Sequence, residues 1–190
     1  MSGSDVNPVG LPRGQSSASA GYANFLGRTF DFTDMTDSSP TGTIRSQRKV
    51  KMMLVKNGES SAAITPGMLC TWKTLLSGKT VVKPAASSAA VVHGVADHHL
   101  PAAGAAAGEY FWMVVDGPCQ FINDANAGVT EFDQLVVSPS VAGSVRLQDA
   151  APATGTLAML QVNSRVGQCE VTALASAMFY GCFNTVGASK

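Results

Sequence analysis

Turn-forming residues recur along this chain at short intervals, and they limit every regular element to a few residues. Asn57-Gly58, Pro66-Gly67, Ser77-Gly78, Gly117-Pro118, Ala127-Gly128, Ala142-Gly143 and Gly155 either tolerate positive φ or fix φ, as tight turns require. Between them lie runs rich in Val, Thr and aromatic residues at 50–55, 68–72, 80–83, 91–96, 109–115, 120–122, 134–138, 144–147, 156–162 and 169–173. Many short strands at near-regular spacing predict an all-β domain, either a compact β-barrel or a β-sandwich. Segment 174–183 fits two descriptions: its alanines permit a helix, and its alternation of small and large residues permits a strand.

The run 109–115 says most about layering. Tyr110, Trp112 and Val114 fall on one face of an extended strand, and Phe111, Met113 and Val115 on the other. A strand of an isolated antiparallel sheet alternates apolar with polar residues. A strand apolar on both faces lies between two layers. The second layer is either this chain's own loops or another subunit.

Residues 1–43 read differently, as an extended N-terminal arm ahead of a β-rich domain over 44–190. Pro8, Pro12, Pro40 and the Gly/Ser-rich run 14–21 oppose a regular helix or central strand. Tyr22, Phe25, Leu26, Phe30, Phe32 and Met35 punctuate the arm, and a solvated tail gains nothing from them. Burial of such a side chain stabilises by about 1.5–3 kcal/mol, whether on a neighbour or on the arm's own domain. Asp31, Asp34 and Asp37 then precede Arg45, Arg48, Lys49 and Lys51, opposed charges that either pair locally or meet complementary patches on a partner.

Charged residues make up only 14% of the chain, against the roughly 25% usual in soluble domains. So sparse a charged surface is explained if other subunits cover much of it. The thirteen basic and thirteen acidic residues cancel, which argues against nucleic-acid binding driven by phosphate neutralisation. No run approaches the twenty apolar residues of a membrane helix, and the polar Gly/Ser-rich start does not resemble a cleaved leader.

Chemistry-bearing patterns are sparse. Cys70, Cys119, Cys169 and Cys182 lack the close pairing of zinc ligands and read as reduced, small apolar residues, with Cys169–Cys182 the conceivable hairpin disulfide. His93, His98 and His99 lie near Asp97. On an extended strand His98 and His99 point to opposite faces, and His93 stands about 20 Å from His99. Asp97 and His99 could offer two ligands if a loop supplied a third, but a surface turn leading to Pro101 is the expectation. Nucleophile elbows and phosphate-binding glycine loops do not occur, and 123–128 fails as a calcium loop because Ala125 and Ala127 fall at ligand positions. No catalytic residue, cofactor or metal is assigned, and the expectation is a non-enzyme.

The middle of the chain carries a recognisable pattern. It runs Gly94-Val95-Ala96, a small-residue loop from Pro101 to Gly108-Glu109-Tyr110, and an apolar strand ending Val114-Val115-Asp116-Gly117-Pro118. The stretch 133–138, Gly143 and Thr154-Gly155-Thr156-Leu157-Ala158 follow. Over about half the chain this resembles the capsid decoration, or cement, proteins of tailed bacteriophages. The resemblance implies a compact β-domain that binds the outer face of a phage head, commonly as a homotrimer, and stabilises the lattice of the major capsid protein. It implies a place on the virion surface after assembly in the host cytoplasm. Tyr22, Phe25, Phe30, Phe32, Arg45 and Arg48 are then the candidate partner contacts. The long N-terminal stretch departs from the shorter decoration proteins and leaves a head-fibre or tail, receptor-binding subunit as the alternative. On that alternative, Trp72 or Tyr180 would stack on sugars. A hydrolase would have to draw on His93, His98 and His99.

Overall fold

The computed structural model describes residues 9–33, 49–74, 78–86, 91–124, 133–148, 165–169 and 178–183. A 3-10 helix, Ala20–Phe25, leads into β1 (Thr29–Thr33) and β2 (Lys49–Asn57). There follow β3 (Leu69–Trp72), β4 (Thr80–Val82), β5 (Gly94–Ala96), β6 (Tyr110–Ile122), β7 (Gln134–Val137), β8 (Val145–Leu147), β9 (Arg165–Cys169) and β10 (Met178–Phe183). The all-β expectation holds. Strand order is β1-β2-β4-β3-β5-β6-β10-β9-β7-β8, and β2 also pairs with β6, so the pairings from β2 through β4, β3, β5 and β6 return to β2.

β6 joins the two sheets. Its first half pairs with β2 and β5, and its second half pairs with β10. The sequence suggested a turn at Gly117-Pro118; instead the strand continues through it. Opposite Lys51 and Met52 stand Asp116 and Val114, so Val115 is an extra residue that bends the strand. Gly117 follows at φ +105°, a backbone state open to glycine, and a Cβ there would come within 2.9 Å of the Lys49 carbonyl oxygen.

Both faces of β6 are covered, and by this same chain. Tyr110, Trp112 and Val114 join a core with Val50, Met52, Leu54, Val95, Phe121, Leu135 and Phe183. Phe111 and Met113 join a second core with Val55, Ile64, Cys70, Val81 and Leu100. Alternation along one strand thus separates two hydrophobic cores.

The extended-arm reading needs correction for residues 9–33. Val9 and Leu11 are buried in the first core, and β1 lies antiparallel to β2 from Thr29 opposite Met53 to Thr33 opposite Lys49. Phe30 and Phe32 alternate with Thr29, Asp31 and Thr33, a two-residue period hidden among turn-forming neighbours. The physical cause is the large indole of Trp112, which Phe30 and Phe32 meet edge-on at centroid distances of 5.6 and 5.1 Å. No boundary therefore divides this segment from the module. Residues 1–8 and 34–48 lie outside the described residues.

Other expectations shift in detail. Segment 174–183 contributes a strand over Met178–Phe183, paired to both β6 and β9. A described strand, Arg165–Cys169, meets the strand expected at 169–173 only at Cys169, and 170–173 lie outside the described residues. Gly167 sits inside the described strand opposite Phe183, where the sequence gives no apolar run to mark a strand. The register pairs Cys169 with Gly181 and Cys182 with Gln168, so the two cysteines are not cross-strand partners. The expected strand 156–162 lies outside the described residues.

Candidate functional site

Two features stand out. One is a buried charged cluster, the other a half-covered aromatic strip, and the same N-terminal segment forms part of both. β5 ends at Ala96, and the chain turns at once, Leu100 N–H donating to the Asp97 carbonyl across 3.1 Å. Asp97 is fully buried. Its Oδ1 accepts from its own turn, from the His99 backbone N–H at 3.3 Å, as Asp side chains do two residues before a turn's end. Its Oδ2 accepts from the Gly14 N–H at 3.0 Å, and Arg13 Nη2 donates to Oδ1 at 3.2 Å.

The turn expected before Pro101 is present, but Asp97 at its start is buried and not at the surface. His98 and His99 do not diverge as on a strand; their rings lie 4.1 Å apart, tilted by 36°. His99 Nδ1 is 3.1 Å from Asp97 Oδ1 and 3.1 Å from Arg13 Nη2. Protonated there it donates to Asp97; unprotonated it accepts from Arg13. His98 Nδ1 lies 4.0 Å from the same carboxylate oxygen, with its side chain 2% exposed. Burial alone would push the Asp97 carboxyl up. The His99 hydrogen bond and the charges of Arg13 and the histidines outweigh it and hold Asp97 well below the usual carboxylate range. The sequence signal was the Asp-x-His turn before Pro101; Arg13 was invisible because it enters from 84 residues away.

His93 takes no part. It lies 5.0 Å from the Trp72 ring, and burial lowers its pKa. Among the described cysteines, Cys70 and Cys119 are buried, and burial pushes the Cys70 thiol far above its ordinary value.

Asp97 thus fastens residues 13–14 to the module, and flanking contacts continue the fastening. Leu11 accepts from the Trp112 indole N–H at 2.7 Å, Ser16 donates to Glu109 Oε2 at 2.7 Å, and Ser17 and Tyr110 exchange backbone hydrogen bonds at 3.0 and 2.8 Å. Beyond this seam the 3-10 helix and β1 lay Tyr22, Phe25, Leu26 and Phe30 against the first core, each only partly buried. Tyr22 tilts on Tyr110 at 6.2 Å. The Arg28 guanidinium lies 5.5 Å from the Phe25 ring, and Lys56 Nζ lies 5.6 Å from Tyr110. The result is a strip of aromatic surface, cationic along one side, beside β1, which pairs with β2 alone and leaves its other edge unpaired among the described strands.

Of the candidate partner contacts, Tyr22, Phe25 and Phe30 come together in this strip. Phe32 is 3% exposed and belongs to the core, so it is not available to a partner. Arg45 and Arg48 lie outside the described residues. In the charge step, Asp31 faces Lys51 across β1 and β2, and Lys51 faces Asp116 across β2 and β6, an alternation of sign within the sheet.

No family model matches the chain, and no curated protein matches it either.

Proposed function

We propose that this chain is a structural virion protein, a decoration protein that binds the outer face of a tailed-phage head as a homotrimer. Its role would be to stabilise the lattice of the major capsid protein. The observation that carries the reading is the aromatic strip of Tyr22, Phe25, Leu26 and Phe30, half-open beside an edge of β1 that is unpaired among the described strands. Aromatic side chains already ordered on a rigid core lose little entropy when a partner covers them, and an unpaired strand edge offers backbone hydrogen bonds to the same partner. The segments that carry the family resemblance build the centre of the fold: Gly94-Val95-Ala96 is β5, and Tyr110 to Pro118 is most of β6. The low charge of the chain agrees with a surface that is covered in an assembly. Weak contacts repeated over a lattice would then add up to firm attachment.

Sedimentation velocity of the purified chain, followed by cryo-electron microscopy with shells of the major capsid protein from the same genome, tests this reading. It predicts a trimer, and density for the trimer on the shell exterior. A monomer that leaves the shells bare contradicts it.

A further inference from the structure

We propose that Asp97, His98 and His99 form a binding site for a divalent first-row transition metal such as Zn2+, in which the Arg13 guanidinium holds the cation's position. This goes beyond the assembly role and stands independently of it. A carboxylate and two imidazoles are the donor set that such ions select over calcium or magnesium. With metal–ligand bonds of about 2.0–2.2 Å, ligand atoms of a tetrahedral site lie about 3.3–3.6 Å apart. Asp97 Oδ1 stands 3.1 Å from His99 Nδ1 and 4.0 Å from His98 Nδ1, and one ligand atom from each of the three residues lies within 4.8 Å of the others. Among the described residues they are the group of three with that property.

Arg13 Nη2 occupies the corner a metal would take, 3.2 Å from Asp97 Oδ1 and 3.1 Å from His99 Nδ1. A metal there displaces the guanidinium and replaces the hydrogen bond between Asp97 Oδ1 and His99 Nδ1. Asp97 Oδ2 keeps the Gly14 N–H at 3.0 Å, which fixes the carboxylate plane as outer-shell partners of metal ligands do. Gly14 makes that approach possible, at φ +73° and so close that a Cβ would lie 2.6 Å from the His99 carbonyl oxygen. His99, with 26% of its side chain exposed, opens the cluster to solvent. Metal and guanidinium therefore compete for one carboxylate oxygen, and each weakens the other's hold by the same factor.

Zn2+ titration of the full chain tests the proposal by calorimetry and by histidine NMR resonances. In the wild-type protein Zn2+ is expected to shift the His98 and His99 ring signals and leave those of His93 in place. Arg13→Gln is expected to tighten Zn2+ binding at least tenfold, and His98→Gln/His99→Gln to abolish it. Shifts at His93 alone, no shift at any histidine, or equal affinity with and without Arg13 would each overturn the proposal. The wild-type resonance experiment decides the matter even where a substitution prevents folding.

Discussion

The Trp112 indole N–H donates to the Leu11 carbonyl across 2.7 Å inside the core, joining residues 101 positions apart in sequence. Around that bond Phe30 and Phe32 stand edge-on to the indole, and Val9 and Leu11 are buried in the same core. The N-terminal segment is therefore a structural part of the module, and its outer side chains are displayed on a rigid base.

Trp112→Phe retains an aromatic ring and removes the indole donor to the Leu11 carbonyl. Loss of one such bond costs about 0.5–1.5 kcal/mol, and the lost ring volume adds to it. Urea unfolding should show a lower midpoint with an unchanged slope. An unchanged midpoint would mean that the bond contributes nothing.

Deletion of residues 1–33 removes Val9, Leu11 and Phe32 from the first core and uncovers Trp112. At about 1.5–3 kcal/mol for each buried side chain, the loss is a large part of the roughly 5–15 kcal/mol that holds a domain folded. The truncated chain should lose cooperative thermal unfolding. A sharp transition near the full-length temperature would show that the segment is dispensable, as the arm reading from sequence implied.

Asp97 and His93 both contribute to the pH dependence of stability. Asp97 is held below its ordinary value of 3.8, so its contribution is complete above that value and is lost as pH falls beneath it. His93 is lowered from 6.5 by burial, so the folded state prefers it neutral; its contribution is complete above 6.5 and declines as pH drops through that value. Both make stability rise from acid to neutral pH. Urea midpoints should climb between about pH 3 and pH 7. His93→Gln should flatten the upper part of the climb, and Asp97→Asn should flatten the lower part while costing about 3–5 kcal/mol. Midpoints that fall with rising pH would contradict both assignments.

Cys70 is fully buried and its thiol is pushed up by that burial, so the reactive thiolate is scarce. Native protein should leave Cys70 unmodified by iodoacetamide over a period in which urea-unfolded protein reacts completely, as peptide mass spectrometry would show. Equal rates would place the thiol at the surface.

The sequence disclosed what depends on local spacing. Turn residues marked β2, β3, β4, β7 and β8 within two residues, and the doubly apolar run at Tyr110–Val115 foretold a strand between two layers. It concealed what depends on distant partners. β1 is short and set among turn formers, and only Trp112, some eighty residues on, gives Phe30 and Phe32 a reason to alternate. The Asp97 cluster was obscured twice over: the turn expected before Pro101 at the surface has its aspartate buried, and Arg13 and Gly14 arrive from more than eighty residues away. Gly117 was read as a turn because glycine before proline usually is one, yet here it carries β6 from one sheet to the next.

The role assigned to the aromatic strip rests on Tyr22 and Phe25, which touch the core on one side and are open on the other. Co-sedimentation of Tyr22→Ser/Phe25→Ser and of wild-type protein with shells of the major capsid protein, both checked for equal thermal unfolding, tests it most directly. The account predicts that the wild-type chain pellets with the shells and that the variant, still folded, stays at least tenfold more in the supernatant. Equal pelleting of the two proteins, or none by either, would contradict it.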